Sequence, residues 1–104
     1  MEYLNGGEIM PVKYICIDFD GTYSAFSEIM SKLIDLFQAD GHKVICTTMR
    51  YEHEVNPLFT ELVKKGVTIY FTGRKAKAPY LQAIGIIPSL WIDDKPEWLF
   101  TDSL

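Results

Sequence analysis

Cysteine is scarce in this chain, with two in 104 residues, Cys16 and Cys46. Each stands inside an apolar segment, without the close pairing that a metal–thiolate site or a disulfide scaffold needs. They read as reduced, buried, small apolar side chains. Long apolar runs are missing too: none approaches the ~20 residues that cross a bilayer. The start, Met1-Glu-Tyr-Leu-Asn-Gly-Gly-Glu, lacks a basic stretch followed by an apolar one, so no secretory signal is expected. These absences point to a soluble, cytoplasmic protein with no membrane partner. Positive charge is in the minority, 10 Lys and Arg against 14 Asp and Glu, for a net charge of −4 and a sequence pI near 5.0. Without a basic stripe, general nucleic-acid binding is not expected. Repeats, linkers and low-complexity tracts are absent as well.

What is present is an apolar fraction of 48%, ordinary for a globular protein and too high for a disordered one. The length allows a single domain, residues 1–104, with residues 1–11 as a loosely held N-terminal extension. Strand and helix patterns then alternate. Val12–Phe19 is β-branched and apolar, as expected of a strand covered on both faces. Residues 24–40 follow with Phe26, Ile29, Met30, Leu33, Leu36 and Phe37 at helical spacing, Ser24 or Ser27 as cap and Gly41 as stop. Val44–Thr48 is a second strand. The next helix has Asn56 as N-cap, Pro57 in first position and Gly66 as its stop. Val67–Thr72 is a third strand, and Pro79 opens a short helix with Leu81 and Ile84 inward. Ser89–Asp93 is a fourth strand, and Pro96–Phe100 begins a last helix. This order predicts an α/β fold, a three-layer Rossmann-like parallel sheet of about four strands flanked by helices. Ligands bind beyond the carboxyl ends of such strands.

The strand ends carry the chemistry. The first ends Asp18-Phe19-Asp20-Gly21-Thr22, with two carboxylates at i and i+2 entering one crevice. One can attack phosphorus while the other moves protons. An Asp-rich turn is also an ordinary structural device, so the pair gains meaning only from the other strand ends. The second offers a hydroxyl at Thr48. Before the Pro79 helix stands Lys77, which opposes the helix dipole unless an anion shares that end. The fourth strand ends Asp93-Asp94. Five basic residues, Arg50, Arg74, Lys75, Lys77 and Lys95, sit just after strands. Two carboxylates ~4 Å apart repel by roughly 4 kcal/mol at an effective dielectric of 20. A gathering of Asp18, Asp20, Asp93 and Asp94 therefore calls for a cation, and oxygen-only ligands beside a phosphate favour Mg²⁺.

This set, in this order over about residues 12–98, resembles the four motifs of the haloacid dehalogenase superfamily. The resemblance implies an Mg²⁺-dependent hydrolase of phosphate monoesters. Asp18 would be the nucleophile that becomes an aspartyl-phosphate and binds the metal. Asp20 would be the general acid/base and lend its backbone carbonyl to the ion. Thr48 and a lysine would hold the phosphoryl oxygens; Lys75 competes for that role, and Lys77 is preferred because it lies nearer the helix start. Asp94 would be the direct metal ligand, with Asp93 behind it. Thr72-Gly73-Arg74 looks like a second threonine motif, but it leaves no room before a lysine and reads as a decoy that still touches substrate.

Asp20 to Val44 holds one helix, and Thr48 to Lys77 holds one helix and one strand, so no cap domain fits. Dehalogenases of this superfamily lack the second acid, and its phosphonatases need a cap lysine. Ester hydrolysis is left, on a small-molecule or macromolecular phosphate. A second copy of the chain is a candidate lid, and Tyr23, Phe26, Met49, Tyr51, His53 and Trp98 are candidates for an open mouth. The competing reading is a catalytically silent phosphate-binding or interaction module. A phosphorelay receiver domain would need its aspartate where Phe71-Thr72-Gly73 stands.

Overall fold

The computed structural model describes residues 2–5 and 8–103. The chain opens with β1 (Glu2–Asn5) paired antiparallel to β2 (Glu8–Pro11), Glu2 opposite Pro11 and Asn5 opposite Glu8. The reading of residues 1–11 as an extension contains no such pair; residues 1, 6 and 7 of it lie outside the described residues.

From residue 14 onward the alternation follows the expected order. Strands β3 (Tyr14–Asp18), β4 (Lys43–Thr48), β5 (Thr68–Phe71) and β6 (Leu90–Ile92) form one parallel sheet in the order β5-β4-β3-β6. Ile15 lies opposite Val44 and Asp18 opposite Thr47, while Ile17 lies opposite Ile92 on the other side. Helices α1 (Ser27–Ala39), α2 (Leu58–Lys64) and α3 (Lys77–Ala83) connect the strands. The two-residue period of a strand sends successive side chains to opposite faces. Ile15, Ile17, Val44 and Cys46 accordingly meet Ile34 of α1 and Leu62 of α2, while Cys16 and Ile45 meet Leu81 of α3. Burying each large aliphatic contributes about 1.5–3 kcal/mol, which is why runs like Ile15–Ile17 occupy central strands. Both cysteines are free and buried in β3 and β4, one toward each layer.

Apart from shifts of one or two residues at strand and helix ends, the first, third and last helices differ from the sequence pattern. The first helix starts at Ser27, because Phe19–Tyr23 form a turn in which the Ser24 N–H reaches the Phe19 carbonyl at 2.9 Å. Ser24 then accepts from the Gly21 N–H at 3.0 Å and caps nothing. Apolar residues on α1 also form two adjacent stripes. The sheet covers Met30, Ile34 and Phe37, leaving Phe26, Ile29 and Leu36 exposed. The third helix begins at Lys77, before Pro79, and Ile84 is exposed while Ile86 fills the core. The last helix is one 3₁₀ turn, Pro96–Leu99, with Leu99 buried. Asn56 does act at the start of α2, its side chain accepting from the Leu58 N–H at 2.9 Å.

Strand order runs outward from β3 to β4 to β5, then returns to β6 on the far side of β3. The crevice where the order reverses is thus at the carboxyl ends of β3 and β6. Asp18 ends the first, and Asp93 and Asp94 follow the second. No inserted domain interrupts β3 to β4 or β4 to α3. Among the described residues no helix is long and apolar enough to cross a membrane.

Candidate functional site

Asp18 is buried at the last position of β3, with each carboxylate oxygen engaged. Lys77 Nζ donates to Oδ1 at 2.6 Å, and the Thr22 hydroxyl lies 3.1 Å from Oδ2. The same ammonium donates to Asp93 Oδ2 at 2.7 Å. Thr22 Oγ1 also stands 3.2 Å from Asp94 Oδ1 and accepts the Asp94 N–H at 3.1 Å. A hydroxyl has one proton, so Thr22 serves one of the two carboxylates at a time. Gly21 makes the close approach of Asp94 possible. Its φ is +80°, and a Cβ there would stand 2.8 Å from the Asp94 carboxyl carbon.

Oxygens of Asp18, Asp93 and Asp94 all lie within 4.8 Å of one another, the one such group of metal-ligating side chains among the described residues. Three carboxylates face a single ammonium, so the cluster is short of positive charge. Burial pushes the Asp18 carboxyl up to about 7; Lys77 opposes that rise and Asp93 adds to it. Burial pulls Lys77 down, but Asp18 and Asp93 outweigh it and hold the ammonium above its ordinary pKa. Every free donor in the group is a carboxylate oxygen, the set that suits a hard divalent cation such as Mg²⁺. Asp93 already spends both oxygens, on Lys77 and on the Lys95 N–H at 2.9 Å. Asp94 is more exposed and keeps its Oδ2 toward Gly21.

Asp20 stands apart from the trio, so the structure gathers three of the four expected carboxylates. Its side chain is held by the Arg50 fork, Nε to Oδ2 at 2.9 Å and Nη2 to Oδ1 at 2.8 Å. The chain leaves the strand at Asp18, so an i+2 spacing no longer sets the side chain's direction, and a bidentate partner does. Arg50 is itself fixed, donating to the Glu54 carbonyl at 3.0 Å and lying over the rings of Phe19 and Phe59. Thr48 is fully buried, and its hydroxyl accepts the Arg50 N–H at 3.2 Å. It is not among the cleft-lining residues; its neighbour Met49 is. Lys75 is not among the cleft-lining residues, and its ammonium lies 3.9 Å from Asp102.

A cavity of about 400 Å³ opens over the trio, lined by Asp20, Met49, Arg74, Lys95, Trp98 and Ser103 beside the cluster itself. Of the candidates for the mouth, Met49 and Trp98 take part. Tyr23 is wholly buried, its hydroxyl donating to Glu61 at 3.0 Å, and Phe26 lies outside the cavity. Tyr51 and His53 stack on each other at 5.7 Å beyond it. Of Thr72-Gly73-Arg74, Arg74 lines the cleft; it bonds the Met49 carbonyl at 2.9 Å and Glu54 at 2.9 Å. Thr22 and the Arg50–Asp20 pair were not singled out as such by sequence reasoning. Thr22 carries a signal, since it follows the glycine that lets Asp94 approach. Comparison with known proteins adds no relative: no family model, no curated protein and no solved structure matches the chain.

Proposed function

We propose that the protein is an Mg²⁺-dependent phosphatase acting on phosphate monoesters through an aspartyl-phosphate on Asp18. One observation carries the reading: a buried carboxylate at the switch point shares a 4.8 Å cluster with Asp93 and Asp94 and a lysine with Asp93. Mg²⁺ bound by Asp18 and Asp94 would neutralise the phosphoryl oxygens and keep Asp18 ionised. Lys77, on Asp18, is placed to hold a phosphoryl oxygen at the same point. Asp18 attacks phosphorus, the ester P–O bond breaks, and Asp20 on the cavity wall, protonated from solvent once its fork with Arg50 opens, gives that proton to the leaving oxygen. Water then attacks the phosphorus of the aspartyl-phosphate, Asp20 takes the proton, and phosphate leaves with Asp18 restored. Thr22 orients Asp18 and Asp94 from beneath. With no domain inserted between β3 and β4 or between β4 and α3, the cleft suits a macromolecular phosphate or a lid from a second copy, and the reduced thiols suit a cytoplasmic setting.

The silent phosphate-binding module stands as a second reading because of the Asp20–Arg50 fork and the turned-away Thr48 hydroxyl. Phosphate release from an aryl phosphate separates the two. We expect release that needs Mg²⁺ and that Asp18→Asn abolishes. Undiminished turnover in Asp18→Asn would remove the nucleophile assignment, and no release by the wild type would favour the silent module.

A further inference from the structure

The loop Gly73–Ala76 carries Arg74 to the cleft and leads directly into Lys77, yet nothing local caps the helix it enters. Ala76 precedes α3 and has no acceptor in its side chain. The acceptor comes from far along the chain, where Asp102 Oδ1 takes the Ala76 N–H at 2.6 Å. Its other oxygen lies 3.9 Å from Lys75 Nζ. The next residue, Ser103, donates its N–H to the Arg74 carbonyl at 2.7 Å and lines the cleft. On the other side of the loop, the Thr72 hydroxyl donates to the Lys75 carbonyl at 2.8 Å. Arg74 keeps a φ of +73°, a left-handed conformation that a residue with a side chain holds only where its surroundings fix it.

What the loop must deliver is demanding. Lys77 is 3% exposed, and its ammonium meets two carboxylates at 2.6 and 2.7 Å. A displacement of about 1 Å breaks such a geometry and is enough to slow a reaction. α3 has only seven residues, too few to hold its own first turn by propensity. Lys77 is the first of them, at the end that frays unless its N–H groups find acceptors.

We propose that Asp102 is a positioning residue for Lys77. By taking the Ala76 N–H, and with Ser103 bonding Arg74, the segment after the last 3₁₀ turn seats the loop that places the ammonium between Asp18 and Asp93. This role rests on the phosphatase reading above.

Two measurements test it. The first is amine acetylation resolved by lysine, with exposed Lys13 and Lys43 as internal references. Acetylation of buried Lys77 follows local opening. Asp102→Ala is expected to speed it by about fivefold, the equivalent of a lost cap, with the reference lysines unchanged. Asp102→Asn keeps an oxygen for the Ala76 N–H and is expected to restore most of the protection. The second is phosphate release, in which Asp102→Ala is expected to lose about fivefold in kcat/KM and Asp102→Asn to recover it. Should Asp102→Ala fail to fold, Ser103→Pro removes the N–H given to Arg74, restricts the backbone at Asp102 and Ser103 with it, and carries the same two readouts. Unchanged Lys77 labelling in Asp102→Ala overturns the proposal, and so does faster labelling with unaltered kcat/KM. A wild type that protects Lys77 but releases no phosphate overturns the phosphatase reading, and with it a catalytic purpose for a tether that the labelling still detects.

Discussion

Asp18 is buried beside two other carboxylates and one ammonium, so its protonation is tied to folding. Burial first, against Lys77 and with Asp93, raises its pKa from 3.8 to about 7. Between those values the folded chain holds a proton that the unfolded chain has released, so stability falls as pH rises through that window. Below about pH 4 both states are protonated and the penalty is absent. In chelator, wild type is therefore expected to lose stability between about pH 4 and 7 relative to Asp18→Asn, by on the order of a few kcal/mol. Urea titrations of both proteins across that range measure the difference, and parallel curves would contradict the electrostatic account. The cysteines make a second case at this scale. Burial pushes Cys16 up to about 12 and Cys46 well above its ordinary value, so neither offers a thiolate near neutrality. Native protein is expected to react with a thiol reagent only on the timescale of opening, and urea-unfolded protein at once. Fast reaction of the native state would place a thiol outside the core.

At the scale of elements, the turn after β3 does what neither strand nor helix can, since it brings Thr22 back under Asp18 and Asp94. Gly21 is its hinge, left-handed at +80° and in close approach to the Asp94 carboxylate. Gly21→Ala is expected to cost about 1–2 kcal/mol from the left-handed backbone alone. The added methyl must also displace Asp94, so the variant is expected to lose most of its stabilisation by Mg²⁺. Melts with chelator and with Mg²⁺ separate the two effects. A variant destabilised but still fully responsive to the ion would show that Asp94 is no ligand. Packing of the helices on the sheet is a separate matter. Leu62 of α2 is fully buried among Phe59, Cys46 and their neighbours, so Leu62→Ala is expected to cost about 2–5 kcal/mol in urea unfolding without altering the Mg²⁺ response.

For the whole molecule, the proposed Mg²⁺ site in the acid cluster would make folding and ion binding one equilibrium. An ion that binds only the folded state at one hundred times its dissociation constant stabilises it by roughly 2.7 kcal/mol. Asp94→Asn removes a charge and a proposed ligand together. It is expected to melt at least as high as wild type in chelator and to gain little from Mg²⁺. A wild type indifferent to Mg²⁺, or an Asp94→Asn protein that shifts just as far, would rule out this metal site. The same topology joins sites far apart in sequence: Thr22 and Asp94 share hydrogen bonds across 72 residues, and Asp18 and Lys77 across 59.

Alternating apolar strands and amphipathic helices were legible in the amino-acid order, because a strand covered on both faces must be apolar throughout and a covering helix must be so on one stripe. The parallel four-strand sheet follows from that alternation, and Asp18, Asp93 and Asp94 follow from their places at strand ends. Sequence periodicity could not say which of two apolar stripes on α1 faces the sheet, because both satisfy the same spacing. Nor could it say where Asp20 points, since once the chain leaves a strand its side chains turn toward the strongest available partner, here Arg50. Nearness to a helix start favours Lys77 over Lys75 in the sequence, but where its ammonium goes, between Asp18 and Asp93, is set by the tertiary structure. Only one of them starts the helix whose end abuts β3 and β6, and the acceptor that seats that start, Asp102, lies 26 residues beyond Ala76. Local preference acts over a turn or two of chain, whereas a buried charge finds its partners wherever the topology brings them.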